Sequence, residues 1–196
     1  MGGAGADASR AKWDEIYRKM SDGSSEPACI LAENAHLLPT SGTALDLACG
    51  LGGNALFLAQ RGFKTVAWDI SEVAVGRLRA LAECLGLAIE AEVRDVESTE
   101  FPREFFDVVV VSRFLARNLV GPIANSLKRG GLLFYQTYVR DKVSPAGPSN
   151  PAYLLAENEL LSLFRGLRVV VYREEGRLGD LSLGHRDEAF LVGEKT

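Results

Sequence analysis

Two carboxylates flank a glycine turn in the first third of the chain, and no other group of residues is so suited in type and spacing to holding a ligand. Asp46 stands inside an apolar strand, and Gly50-Leu51-Gly52-Gly53-Asn54-Ala55 then turns the chain. Asp69 waits after the next strand. Glycine lets backbone N–H groups approach a ligand closely while the chain turns sharply, and the helix start that follows adds unpaired donors. The arrangement is that of a nucleotide-cofactor cradle. The turn satisfies G-x-G-x-x-G/A, with Asp69 at about the twenty-residue distance expected of a ribose-binding acid. Asp46 discriminates between cofactors. A pyrophosphate gains nothing from a carboxylate inside the strand, whereas a cofactor that ends in an ammonium group does.

The segment Ala44-Leu45-Asp46-Leu47-Ala48-Cys49-Gly50-Leu51-Gly52-Gly53-Asn54-Ala55-Leu56-Phe57-Leu58 resembles motif I of the class I S-adenosylmethionine-dependent methyltransferases. The resemblance implies that Asp46, Ala48, Gly50, Gly52, Asn54 and Ser112 bind the cofactor, with Asp46 and Gly50 at its methionyl end. It implies too that Asp69, followed by Ile70, takes both ribose hydroxyls, and that Asp95-Val96 hold the adenine. Ala48 stands where many members have a first glycine, which is tolerated if that residue keeps extended backbone angles. Within the superfamily the chain resembles small bacterial enzymes related to tellurite-resistance and thiopurine S-methyltransferase proteins. That likeness rests on Trp13/Tyr17, on the glycine segment and on Asn150-Pro151-Ala152-Tyr153-Leu154-Leu155.

The elements that must position these residues alternate along the chain. Lys64 to Trp68 reads as the second strand, Ser71 to Leu85 as a helix, Ala88 to Arg94 as the third strand and Phe106 to Ser112 as the fourth. Lys128 to Phe134 resembles the turn into the fifth. Arg168 to Arg173 and Asp187 to Val192 resemble a closing antiparallel pair that nicotinamide domains lack. The expected fold is α/β, three-layer and Rossmann-like, with a seven-stranded, mostly parallel sheet and one antiparallel strand. All 196 residues suit a single domain, and 47% apolar content argues against disorder.

Two amphipathic stretches, Ala8 to Met20 and Pro27 to Leu38, form an expected helical lid over residues 1–40, separated by the breaker Ser21-Asp22-Gly23-Ser24-Ser25. Pro27 suits a first helical turn. Trp13 and Tyr17 share one face of the first helix, either as a staple onto the sheet or as a lid over the methionyl end. Residues 138–153, with three prolines and a glycine, form a long loop at the carboxyl end of a strand, the edge where open α/β sheets bind ligands. That loop is read as an acceptor-side wall. Ala152 to Phe164 follows with leucines at helical spacing, as a last crossover helix.

Bulk properties exclude other classes. No stretch reaches the roughly twenty apolar residues that span a bilayer, and the first residues have neither a basic region nor an apolar run. The cytoplasm is the expected location. A myristoylation reading of Met1-Gly2 fails at Ala6, where Ser or Thr is required. Cys29, Cys49 and Cys84 are scattered and accompanied by only His36 and His185, so neither a disulfide framework nor a metal site is signalled. A net charge of −4 does not suit a polyanion partner, and the cluster Arg10, Lys12, Arg18 and Lys19 is interrupted by acids. Ser112-Arg113-Phe114-Leu115 differs from the Asn/Asp-Pro-Pro-aromatic turn of enzymes that methylate the exocyclic amines of bases. Neither nucleic acid nor membrane is expected as partner, and the chain is expected to act as a monomer or homodimer.

Methyl transfer from a sulfonium is an in-line displacement that needs no side-chain nucleophile, and a base is needed only if the acceptor must lose a proton. A thiol or reduced chalcogen, ionised near neutral pH, hardly needs one. The candidates for work on a small-molecule acceptor are Arg113, Tyr138, Arg140, Tyr153 and His185, as orienting groups or, for His185, as a base. Two other readings remain open at this point. One is an NAD(P)-dependent oxidoreductase, from the G-x-G-x-x-A match; the other is a non-catalytic cofactor-binding protein, from the missing base.

Overall fold

A computed structural model describes residues 3–21 and 26–196. Met1-Gly2 and the Asp22 to Ser25 part of the expected breaker lie outside the described residues. Seven strands form one sheet: β1 (Thr43–Leu47), β2 (Lys64–Asp69), β3 (Ile89–Val93), β4 (Phe106–Ser112), β5 (Leu127–Tyr138), β6 (Arg168–Arg173) and β7 (Glu188–Glu194). Their order is β3-β2-β1-β4-β5-β7-β6, with β7 antiparallel to both neighbours and the remaining pairs parallel. The chain first builds outward from β1 to β3 and then returns to place β4 on the other side of β1. The carboxyl ends of β1 and β4 therefore border the crevice where doubly wound sheets take ligands.

The strands are legible as continuous apolar runs because helices cover both faces. Alternate residues point to opposite sides: Val108 and Val110 join Ile30, Leu31 and Leu58 of α2 (Cys29–Glu33) and α3 (Gly53–Ala59). Val109 and Val111 join Ile123 and Leu160 of α5 (Val120–Ser126) and α6 (Glu159–Leu163). A third cluster seats α4 (Glu72–Cys84) on Ala67 and Ala91. Helix α1 (Gly3–Lys19) lies against α4, and its basic residues Arg18 and Lys19 pair one turn back with the buried Asp14 and the exposed Glu15.

Three expectations are corrected. The helix read over Ala152 to Phe164 is only a 3-10 turn, Pro151–Tyr153, followed by an extended segment and then α6. Leu155 bridges instead to the end of β5, its N–H donating to the Tyr138 carbonyl while the Arg140 N–H donates to the Leu155 carbonyl, both at 2.9 Å. Asn158, in the left-handed region at φ 56°, starts α6 afresh. The helix read from Pro27 begins at Cys29, with Pro27 ahead of the cap residue Ala28, and gives way at Asn34 to a 3-10 turn, Ala35–Leu37. Ala48 does not keep extended angles: its φ is +55°, a left-handed conformation that costs a residue with a Cβ about 1–2 kcal/mol.

Candidate active site

The glycine turn is held from below by acids. Asp46 is fully buried, and its two oxygens accept from Asn54 Nδ2 at 3.1 Å and from the Ala55 N–H at 3.0 Å. Burial pushes its pKa up to about 7, against the lowering effect of those two hydrogen bonds. Asn54 spends its other atoms on the same scaffold: Oδ1 accepts from the Ala28 N–H at 2.8 Å, and Nδ2 also donates to Ser112 Oγ at 3.1 Å. One side chain thus fastens β1, the tip of β4 and the segment leading into α2.

Asp69 is nearly as buried, and its oxygens accept from the Gly50 N–H at 2.8 Å and the Ser71 N–H at 2.9 Å. Burial raises its pKa. A turn that bonds a carboxylate through Gly50 needs the φ of +53° found there. Gly52, at φ +80°, has a packing reason as well: a Cβ there would come within 2.3 Å of Leu78 in α4. The Gly52 N–H closes the turn on the Cys49 carbonyl at 2.9 Å. Ile70 is half-buried beside Asp69. Asp95 caps the turn that follows β3, accepting from the Glu97 N–H at 3.1 Å and the Ser98 hydroxyl at 2.9 Å, while Val96 is a member of the main core.

Tyr17 projects from α1 into this cradle. A Cβ built on Gly50 would lie 2.7 Å from the Tyr17 hydroxyl, and burial together with Asp69, Cys49 and Asp46 raises the phenol's pKa. Trp13 stacks on Tyr17 with ring centroids 5.8 Å apart and is 38% exposed. Asp14, between them in sequence and buried, ties α1 to the glycine cradle. Its Oδ1 accepts from the Ser71 hydroxyl at 2.5 Å and the Val73 N–H at 3.3 Å. Arg77 of α4 adds bonds to the Tyr17 and Met20 carbonyls.

Across the crevice a second polar chain runs from α2 to β7. The Ile30 N–H donates to Gln136 Oε1 at 2.9 Å, Gln136 Nε2 donates to Glu188 at 2.6 Å, and Arg113 pairs with the same carboxylate at 3.3 Å. Burial alone would lower the Arg113 pKa, but Glu188, Tyr138 and Cys29 hold it above the ordinary value. Arg113, at φ +54°, is another left-handed residue with a Cβ. Of the acceptor-side candidates, the structure brings Arg113 and Tyr138 together. Arg140 and Tyr153 lie exposed on the loop side, and His185 bonds Glu33 at 2.8 Å. Glu188, Gln136 and Asp14 escaped the sequence reading. Gln136 alone left a signal, as a lone amide within the apolar run of β5.

Residues 44–131 match the family model described as Methyltransferase domain. The chain is 28% identical to TehB of Haemophilus influenzae, a probable S-adenosyl-L-methionine-dependent methyltransferase, over 70% of this chain and 49% of that one. It is 35% identical to the cypemycin N-terminal methyltransferase of a Streptomyces species, over 61% of this chain and 52% of that one. The chain thus spans about half the length of the curated relatives it matches. The crystal structure of Haemophilus influenzae TehB superposes with a TM-score of 0.71 at 20% identity, over 94% of this chain and 67% of that one, a likeness of fold. Strand order, glycine turn and family match agree: residues 44–131 are similar to the methyltransferase domain, set in a sheet of the fold shared with TehB.

Proposed function

We propose that the protein transfers a methyl group from S-adenosylmethionine to a small-molecule acceptor. The observation that carries this reading is Asp46, a fully buried carboxylate directly under the glycine turn, where an anionic pyrophosphate would be repelled and an ammonium group attracted. Bound there, S-adenosylmethionine supplies an electrophilic methyl on a sulfonium. The residues of the chain bind, orient and exclude water. Asp69 takes the ribose hydroxyls on lone pairs left by the Gly50 and Ser71 N–H groups, and Asp46 and the Gly50 turn hold the methionyl end. Tyr17, stacked under Trp13, closes over it. Arg113 and Tyr138 orient the acceptor, a role that suits a polar or anionic molecule. Residues 1–196 work as one domain, in the cytoplasm, as a monomer or homodimer.

Isothermal titration with S-adenosylmethionine, S-adenosylhomocysteine and NADH tests the reading. The first two should bind and NADH should not; NADH binding without the others would overturn it. An acceptor screen that detects S-adenosylhomocysteine release, with thiols and amines as separate arms, then identifies the acceptor. Cofactor binding without S-adenosylhomocysteine release for any acceptor would favour a non-catalytic cofactor-binding protein.

A further inference from the structure

The described residues contain one cluster of metal-ligating side chains that the cradle does not use. Cys29 and Glu33 stand one turn apart on α2, and His185 leads into β7. The thiol sulfur, one carboxylate oxygen and one imidazole nitrogen all lie within 4.8 Å of one another. The ligands of a tetrahedral Zn²⁺ stand about 3.3–3.7 Å apart, given Zn–N and Zn–O of about 2.0–2.1 Å and Zn–S of about 2.3 Å. Small rotations of three side chains separate the two arrangements.

The scaffold around them is fixed. Ile30 and Leu31, between the two helical ligands, are fully buried, and the Ala28 and Ile30 N–H groups are bonded to Asn54 and Gln136. The His185 ring packs on Phe190 with centroids 4.5 Å apart. Arg113, the nearby cation, is paired with Glu188 at 3.3 Å.

We propose that Cys29, Glu33 and His185 form a three-ligand site for a thiophilic divalent cation of the Zn²⁺ class. A sulfur, a nitrogen and a carboxylate oxygen suit a borderline-soft ion and not Mg²⁺ or Ca²⁺, which take oxygen sets. Thiolate and carboxylate together balance the ion's charge. Three protein ligands leave a fourth position for water or a small ligand, the pattern of reactive rather than purely structural zinc sites. The site touches the polar chain at the acceptor edge through Ile30 and Gln136.

The test uses the full chain, freed of metal with a chelator and titrated with Co²⁺ as an optical probe. One equivalent should give a sulfur-to-cobalt charge-transfer band, which Zn²⁺ abolishes by displacement. Cys29→Ser should lose the band, and Cys84→Ser, at an exposed thiol, should keep it. Competition with a chromophoric chelator should show at least ten-fold weaker Zn²⁺ binding for His185→Ala and for Glu33→Gln. The latter is a substitution at an exposed position that leaves the core untouched. No stoichiometric binding, a band that survives Cys29→Ser, or unchanged Zn²⁺ affinity in Glu33→Gln would each overturn the proposal and leave a plain histidine–glutamate pair. None of these readouts involves S-adenosylmethionine, so the outcome is separate from that of the methyltransferase reading.

Discussion

Asp46 and Asp69 hold the glycine turn together and are also the acids proposed to meet the cofactor, and substitution separates the two roles. Asp69→Ala removes the partner of the Gly50 and Ser71 N–H groups as well as the proposed ribose acid. The variant should lose about 1.5–3 kcal/mol of S-adenosylhomocysteine affinity, and about 1–3 kcal/mol of stability for the orphaned N–H groups. Titration calorimetry and urea unfolding measure the two. Asp46 carries the pH dependence. Its folded pKa, about 7, lies above its unfolded value near 3.9, so the native state holds the proton longer. The contribution of this group to stability therefore falls as pH rises from about 4 to about 7. Affinity for a ligand bearing an ammonium group runs the other way, strengthening across pH 6 to 8 as the carboxylate ionises. Asp46→Asn should flatten both profiles, and titrations at several pH values check this.

Among the elements, α1 is the one held mainly by polar contacts. Asp14 reaches Ser71, which also caps α4 by accepting from the Ala74 N–H at 3.1 Å and donates its own N–H to Asp69. Asp69, the α4 cap and α1 thus form one hydrogen-bonded chain. Asp14→Ala should speed hydrogen exchange across residues 3–19 by about ten-fold, the equivalent of 1–1.5 kcal/mol, while the sheet stays protected. The strands could be read from sequence because β1 and β4 are buried on both faces and leave mostly apolar letters, broken by Thr43 and Asp46 in the one and by Asp107 and Ser112 in the other. The last helix could not, because Leu154, Leu155, Leu160 and Leu161 fit a helical period as well as they fit a bridge to Val139 followed by a short helix. The cradle was legible because its residues are local in sequence. The Gln136–Glu188–Arg113 chain and the Cys29–Glu33–His185 cluster join segments far apart in the chain, which a linear reading does not bring together.

At the scale of the whole molecule, ligand binding and folding are linked through the crevice between β1 and β4. A ligand at one hundred times its dissociation constant adds about 2.7 kcal/mol to stability. For a chain of this length that is roughly 5–10 °C in melting temperature. S-adenosylhomocysteine should produce a shift of that size and NADH none, a comparison that thermal denaturation makes without any knowledge of the acceptor. No described helix is long and apolar enough to cross a membrane.

The positions of the two tryptophans give the molecule a built-in optical reporter. Trp68 is 3% exposed at the end of β2, with the Arg94 guanidinium 4.5 Å from its ring centroid, and its surroundings belong to the core. Trp13 sits on α1, part in solvent and part on Tyr17. Emission from Trp68 should stay constant while that from Trp13 reports any movement of α1. In a Trp68→Phe chain, intrinsic fluorescence becomes a single-residue record of α1, and its response to S-adenosylhomocysteine tests the proposed closure over the cofactor.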